Sequence, residues 1–173
     1  MKYRLLDHTA DLKVEIYGKD LVELFANAAF MLFDVMVDTG QVQERMQAEV
    51  ELTSGDIEEL FLDWLRELLY RFATKGFVTK RVEVKVCPER EGCQPPKPES
   101  GSGHDSVRFR ASAVSRGVEV KVQPVRLRGT LYGENYESKR HGLKIEIKNP
   151  TYHQFRIEKV EGGRWKATVV FDV

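Results

Sequence analysis

Two stretches of the chain repeat apolar residues at alternating spacings of three and one, the pattern of a helix with one buried face. The first consists of Leu21, Leu24, Phe25, Ala28, Ala29, Leu32, Phe33 and Met36. The second consists of Ile57, Leu60, Phe61, Trp64, Leu65, Leu68, Leu69 and Phe72. Each stretch begins directly after an aspartate, and a glutamate stands three residues beyond that aspartate, which is the spacing of an amino-terminal cap. The pairs are Asp20 with Glu23 and Asp56 with Glu59. Gly76 suits the left-handed residue that ends a helix, so we predict two amphipathic helices.

Most of the remaining apolar segments alternate with a period of two, which is typical of strands with one solvated face. The clearest are residues 12–17 and 82–86, and further candidates are residues 48–53, 107–114, 118–122, 125–131, 143–148, 153–160 and 165–171. Most of these strands follow one another without an intervening helix, so the sheet should be largely antiparallel. The predicted fold class is α+β, with a largely antiparallel sheet or sheets and the two helices packed on one face.

The length of 173 residues suits a single domain over residues 1–173 with a buried hydrophobic core. Residues 94–106 are rich in proline, glycine and serine and predict a flexible polar loop within it. The 27 basic residues balance the 27 acidic ones. Because no net charge attracts phosphate groups, we expect no strong direct binding of RNA or DNA.

The amino-terminal segment has no long apolar run before its first charges, so it resembles neither a signal peptide nor a membrane span. We therefore expect a cytoplasmic protein that does not bind membranes. The chain has two cysteines, Cys87 and Cys93, and in that compartment ordinary thiols are favoured. A disulfide is the alternative, which a thermophilic source would tolerate.

The most informative local feature is the sequence Asp-His-Thr-Ala-Asp that begins at Asp7, directly before a predicted strand. Asp7, His8 and Asp11 have the chemistry of a metal site or an acid–base pair, although such aspartates are more often caps and turn formers. The sequence ends with Asp172 and Val173, which add a side-chain and a terminal carboxylate. If the first and last strands are neighbours, these oxygens meet Asp11 and suit a hard cation such as calcium or magnesium. A frayed chain end is the alternative.

Other polar positions favour structural roles. Asp34 and Asp38 stand four residues apart at the end of the first predicted helix, where we interpret them as solvated or loop-capping residues. Pro150 marks a break between two strand-like stretches. Hydrogen-bonded roles are favoured over catalysis for His8, His141 and His153. No nucleophile elbow, phosphate-binding glycine loop, zinc-binding helix or dinucleotide fingerprint occurs in the sequence.

These landmarks together resemble the archease family. They are the Asp-His-Thr-Ala-Asp sequence from Asp7, Gly18 after the following strand, the Leu-Phe-Asp-Val-Met sequence that ends at Met36, the Ile-Lys-Asn-Pro-Thr-Tyr-His sequence from Ile147, and the Asp-hydrophobic end. They span nearly the whole chain, which makes the set more specific than any one of them. The departures are the Asn-Pro pair, where many members carry Ala followed by Ile or Val, and the polar insertion around residues 94–106.

The resemblance implies a protein that is not an enzyme. It would activate an RtcB-type RNA ligase in tRNA splicing, promoting guanylylation of the ligase and its repeated turnover. It also implies a bound divalent metal ion, with calcium favoured, at Asp11, Asp172 and Val173. Lys148 matches a family lysine linked to activation, and Asp7 and His8 are further candidate positions for partner contact.

Two other functions compete with this one. The first is a chaperone-like module that steers an RNA-modifying enzyme such as a tRNA methyltransferase, a role also associated with the family. The second, of a different class, is a small metal-dependent hydrolase that uses Asp7, His8 and Asp11 to activate water. The hydrolase is disfavoured because the sequence offers no complete set of nucleophile, base and stabilising groups.

Overall fold

The computed structural model of the protein describes residues 1–6, 11–88 and 124–173. These residues form two long helices, one short helix and seven strands. In chain order the elements are β1 (Tyr3–Leu6), β2 (Leu12–Gly18), α1 (Leu21–Met36), β3 (Met46–Ser54), α2 (Ile57–Lys75), β4 (Phe77–Pro88), β5 (Val125–Asn135), α3 (Ser138–His141), β6 (Asn149–Lys159) and β7 (Trp165–Asp172). Single 3-10 turns occupy Thr39–Gln41 and Glu161–Gly163.

Local side-chain and backbone chemistry defines the start of both long helices and the end of α2. The backbone N–H of Glu59 donates to the Asp56 carboxylate over 2.8 Å, and Glu23 donates to Asp20 in the same way over 2.8 Å. Each bond satisfies one of the amide groups that a first helical turn leaves without a partner. Gly76 ends α2 with a φ of 62°, a conformation that costs glycine little. The predicted caps are therefore confirmed.

The strands form two antiparallel sheets. The first has the order β1-β2-β7-β6 and the second has the order β3-β5-β4. The predicted α+β class with antiparallel sheets is confirmed, and β1 is a strand that the sequence pattern did not predict. The candidate strands at residues 107–114 and 118–122 and the polar loop at residues 94–106 lie outside the described residues.

The two long helices contact both sheets. Helix α1 packs against β2 and β7 of the first sheet and against β4 of the second, while α2 packs against β6 and against β3, β4 and β5. For this reason Asn27, Met31 and Val35, which lie beside the predicted apolar face of α1, are buried as well. The Asn27 side-chain amide donates to the backbone oxygen of Tyr17 over 2.7 Å, so the polar group is not left unsatisfied in the interior. Among the described residues, no helix combines the length and the apolar character needed to span a membrane.

The predicted strand at residues 143–148 is wrong. This stretch makes one isolated bridge, between Leu143 and Val37 at the end of α1, and is otherwise irregular. Of its alternating apolar residues only Ile147 is buried, whereas Leu143 and Ile145 stay exposed. Apolar alternation alone therefore does not create a strand.

Cys87, near the end of β4, takes part in a disulfide. The thiol state that the sequence analysis favoured is therefore wrong for this residue, and the alternative holds. Cys93 lies outside the described residues.

The close pairing of β4 and β5 gives a test of the fold. A Cβ atom at Gly133 would overlap the backbone carbonyl of Val78, whereas one at Gly40 would meet only the Asp38 carboxylate, at 3.1 Å. Backbone cannot move aside as a flexible side chain can. We expect Gly133→Ala to lower the free energy of unfolding by about 3 kcal/mol or more and Gly40→Ala by less than about 1 kcal/mol. Urea denaturation followed by circular dichroism measures both, and equal midpoints for the two variants would contradict this packing.

Candidate functional site

Strands β2 and β7 bring the two ends of the described fold together. Leu12 is the register partner of Phe171, so Asp11 directly precedes and Asp172 directly follows a paired position. Opposed residues in antiparallel strands have Cα atoms about 4.5–5.5 Å apart. Asn149 of β6 is in turn the partner of Asp172. The expected convergence of Asp11 with the carboxyl-terminal residues is thus observed.

Lys148 lies against the same end of the sheet. Its backbone N–H donates to the backbone oxygen of Asp172 over 2.9 Å. Its ammonium group donates to the main-chain oxygen of Val173 over 3.2 Å. Lys148, Asp172 and Val173 are all exposed, and Asp11 is half-buried. We call Asp11, Lys148, Asp172 and Val173 the end cluster.

The donors of the end cluster fit a hard cation. Two carboxylates and a main-chain oxygen are the ligand types that calcium and magnesium prefer, and neither imidazole nor thiolate is present in the cluster. Calcium takes six to eight oxygen ligands, so water or a partner group would have to complete its shell. Within residues 1–6, 11–88 and 124–173, no group of three or more His, Cys, Asp and Glu side chains could hold a metal ion. Asp7 and His8 fall outside those ranges.

Asp38 has the capping role that the sequence favoured, whereas Asp34 is half-buried within α1 and accepts hydrogen bonds from two hydroxyl groups. The Tyr3 hydroxyl donates to Asp34 over 2.6 Å, and the Thr39 hydroxyl donates to its other oxygen over 3.0 Å. Burial, with the Asp34 hydrogen bond, raises the pKa of Tyr3 to about 12. Asp38 accepts from the backbone N–H of Gly40 over 3.1 Å and caps the 3-10 turn. Neither aspartate belongs to the end cluster.

A β-bulge interrupts the pairing of β6 with β7 next to the end cluster. The pairing with β7 shifts across residues 152–155, and Gln154 has a φ of 56°. The Lys13 ammonium donates to the Gln154 side chain over 2.6 Å, which ties the bulge to β2. Pro150 lies inside β6 and not at a break, which is compatible with an edge strand because proline lacks the N–H of a central ladder. The bulge leaves Tyr152 63% exposed.

His141 has a hydrogen-bonded role, as the sequence favoured, in a buried polar group that sequence reasoning missed. The ring is fully buried, and its Nδ1 accepts from the backbone N–H of Glu137 over 2.9 Å. Because Nδ1 accepts, Nε2 carries the proton and donates to the Glu134 carboxylate over 3.1 Å. Glu134 itself is only 3% exposed. Arg140 and His141 are six and seven residues from Glu134 in the sequence, whereas the Gln43 backbone N–H comes from 91 residues away.

Glu134 accepts hydrogen bonds from donors in two separate parts of the chain. Besides His141, it accepts from the backbone N–H of Gln43 over 2.8 Å and from the Arg140 guanidinium, and Arg45 lies 3.5 Å away. Burial alone raises the pKa of Glu134, but the hydrogen bonds from Gln43, Arg140 and His141 outweigh it and lower the pKa to about 2. We call Glu134, Arg140 and His141 the buried anchor.

Comparison with known proteins agrees with this architecture. The family model of the Archease protein family (MTH1598/TM1083) matches residues 3–95 and 102–173. The chain belongs to the archease family. It is 37% identical over 172 residues to protein archease of Methanosarcina mazei, covering 99% of this chain and 96% of that protein. It is 36% identical over 173 residues to protein archease of Archaeoglobus fulgidus, covering 100% of both.

A solved archease-family fold is also similar. The solution structure of Methanobacterium thermoautotrophicum protein 1598 superimposes with a TM-score of 0.69 at 30% sequence identity. The match covers 99% of each chain. The family assignment that rested on scattered sequence landmarks is therefore confirmed over almost the full length.

The buried anchor makes stability depend on acidity in a defined direction. The pKa of Glu134 is about 2 in the fold against an ordinary value of 4.5, so its carboxylate stabilises the fold fully above pH 4.5. That stabilisation is lost as the pH falls from 4.5 towards 2. We expect the wild type to lose free energy of unfolding more steeply than Glu134→Gln over this window, measured by urea denaturation at a series of pH values. Parallel curves for the two proteins would contradict the assignment.

Proposed function

We propose that this chain is a non-catalytic, metal-binding activator of an RtcB-type RNA ligase. It promotes guanylylation of the ligase and so supports repeated turnover in tRNA splicing and RNA repair. The observation that supports the proposal most directly is the end cluster, in which strand pairing brings Asp11 close to Asp172 and the Lys148 ammonium group contacts the Val173 oxygen. Family membership supports it, because the same positions match the family's landmarks.

The oxygens of the end cluster have the role of holding one divalent cation, for which calcium is favoured. Asp11 and Asp172 contribute carboxylates from opposed strands, and Val173 contributes a main-chain oxygen. A bound calcium ion would supply positive charge with coordination positions left over for a phosphate oxygen or a partner carboxylate. Asp172 lies in β7, and Asp11 and Val173 each adjoin the end of a paired strand.

Lys148 acts beside the cation and not as one of its ligands. An ammonium group neutralises phosphate or carboxylate charge as a point charge with three donors. Its contact with the Val173 oxygen holds it next to that residue. The balanced net charge of the chain supports a protein partner in preference to direct capture of RNA by bulk attraction.

The cation-binding role predicts a joint loss of two properties. We expect Asp172→Asn and Asp11→Asn to weaken calcium or terbium binding by about tenfold or more, because each removes a charged oxygen donor. Stimulation of ligase guanylylation should fall towards the level without activator. Glu161→Gln, in the turn at the other end of β6 and β7, removes one negative charge and is the matched control. Full stimulation by both Asp variants after confirmed folding would reject the role.

The role of Lys148 predicts a separation of the same two properties. We expect Lys148→Gln to lose most of the guanylylation stimulus while its cation affinity is retained, because the ammonium group is no ligand. Lys85→Gln is the control, since Lys85 is an exposed lysine of β4 that lies outside the end cluster and outside the segment that leads to it. Isothermal titration and a guanylylation time course measure the two properties. Equal stimulation by Lys148→Gln and Lys85→Gln would remove Lys148 from the proposal.

A further inference from the structure

The segment of residues 142–148 carries Lys148 to the end cluster without the support of a regular strand. It follows α3 directly, and apart from Ile147 its residues are exposed. The backbone N–H of Lys144 donates to the Met36 oxygen over 2.8 Å, and that of Lys148 donates to the Asp172 oxygen over 2.9 Å. These two bonds, the bridge between Leu143 and Val37 and the burial of Ile147 hold the segment, and its course also depends on where α3 ends.

The buried anchor fixes the end of α3. His141 is the last residue of α3, and its backbone oxygen accepts from the N–H of Asp38 over 2.7 Å. Its ring bonds to Glu134 of β5 on one side and to the Glu137 backbone on the other. Arg140 contacts the same carboxylate and also donates to the Gln41 backbone oxygen over 3.2 Å. The hydrogen bonds at both ring nitrogens restrict rotation of the imidazole and hold the end of α3 against β5.

The anchor lies at the edge of the hydrophobic core and touches it through Tyr136, whose ring centroid is 5.9 Å from that of His141. Along β5 the core residues alternate, with Leu127, Gly129 and Leu131 buried and the residues between them partly exposed. Glu134 departs from this alternation, because α3 and the segment before β3 cover it. A change at the anchor therefore releases α3 and the following segment while the paired strands β2 and β7 keep their packing.

We propose that the buried anchor of Glu134, Arg140 and His141 positions Lys148 for ligase activation through the segment of residues 142–148. This inference rests on the proposed function of Lys148. Glu134 and His141 are positioning residues, since neither reaches the end cluster. They affect activation by setting the position of the Lys148 ammonium group.

Hydrogen exchange tests the positioning itself. In Glu134→Gln we expect the amide of Lys148 to exchange about tenfold faster or more, because Arg140 and the His141 ring lose their charged acceptor, with the amides of β2 and β7 unchanged. Unchanged exchange at Lys148 would overturn the inference. A uniform increase over all strands would overturn it too, since that outcome describes a general loss of stability.

A double-mutant cycle tests the route to activation. Glu134→Gln should lower guanylylation stimulus in the wild-type background and have no further effect in the Lys148→Gln background. Additive losses would overturn the inference, because they would show that Glu134 acts independently of Lys148. If Lys148→Gln alone leaves the stimulus intact, the proposed function fails, while the exchange experiment still decides whether the anchor positions Lys148.

Two conservative changes at His141 give the same comparison if Glu134→Gln does not fold. His141→Gln keeps a side-chain N–H near the Nε2 position and so retains the bond to Glu134. His141→Asn keeps an acceptor near Nδ1 and loses that bond. We expect the Gln variant to retain slow Lys148 exchange and more stimulus than the Asn variant. Equal behaviour of the two variants would overturn the role of the contact between residues 134 and 141.

Discussion

The antiparallel pairing of β2 with β7 is the constraint on which the rest of this site depends. It joins strands more than 140 residues apart in sequence, and its register sets Leu12 opposite Phe171. A shift of one residue would turn the side chains of a strand to the other face of the sheet. That shift is opposed by the burial of Val14 and Ile16 opposite Val169 and Ala167. Core packing thus determines which polar residues meet at the end of the sheet.

The helices and most strands could be predicted from the sequence because their signals are local. Asp56, Glu59 and Gly76 act within a few residues of the helix ends that they define. The segment of residues 143–148 shows the limit of such signals, since its apolar residues alternate as in a strand, yet within the described residues it makes only an isolated bridge to Val37. The apolar pattern of α1 did not predict that the helix is buried on two sides, because a sequence does not show that a helix contacts two sheets.

The candidate site was partly predictable. Asp11 and Asp172 stood out because each flanks an apolar strand, and only the register of the sheet shows that they are neighbours. Glu134 gave no signal, since a glutamate near the end of a strand is usually solvated. Its burial comes from residues 40 to 45 and from α3, which pack over it in the folded chain. Long-range burial of a charge leaves no periodic trace in a sequence.

Paramagnetic relaxation tests the central claim, which is that paired strand ends create one site for a hard cation. Manganese(II) prefers the same oxygen donors as calcium and broadens nearby amide signals in a two-dimensional NMR spectrum. Substoichiometric manganese should selectively broaden the amides of Leu12, Lys148 and Asp172 and leave those of the Glu161–Gly163 turn sharp. Excess calcium should reverse the effect. Broadening centred on another surface, or none at the end cluster, would contradict the account.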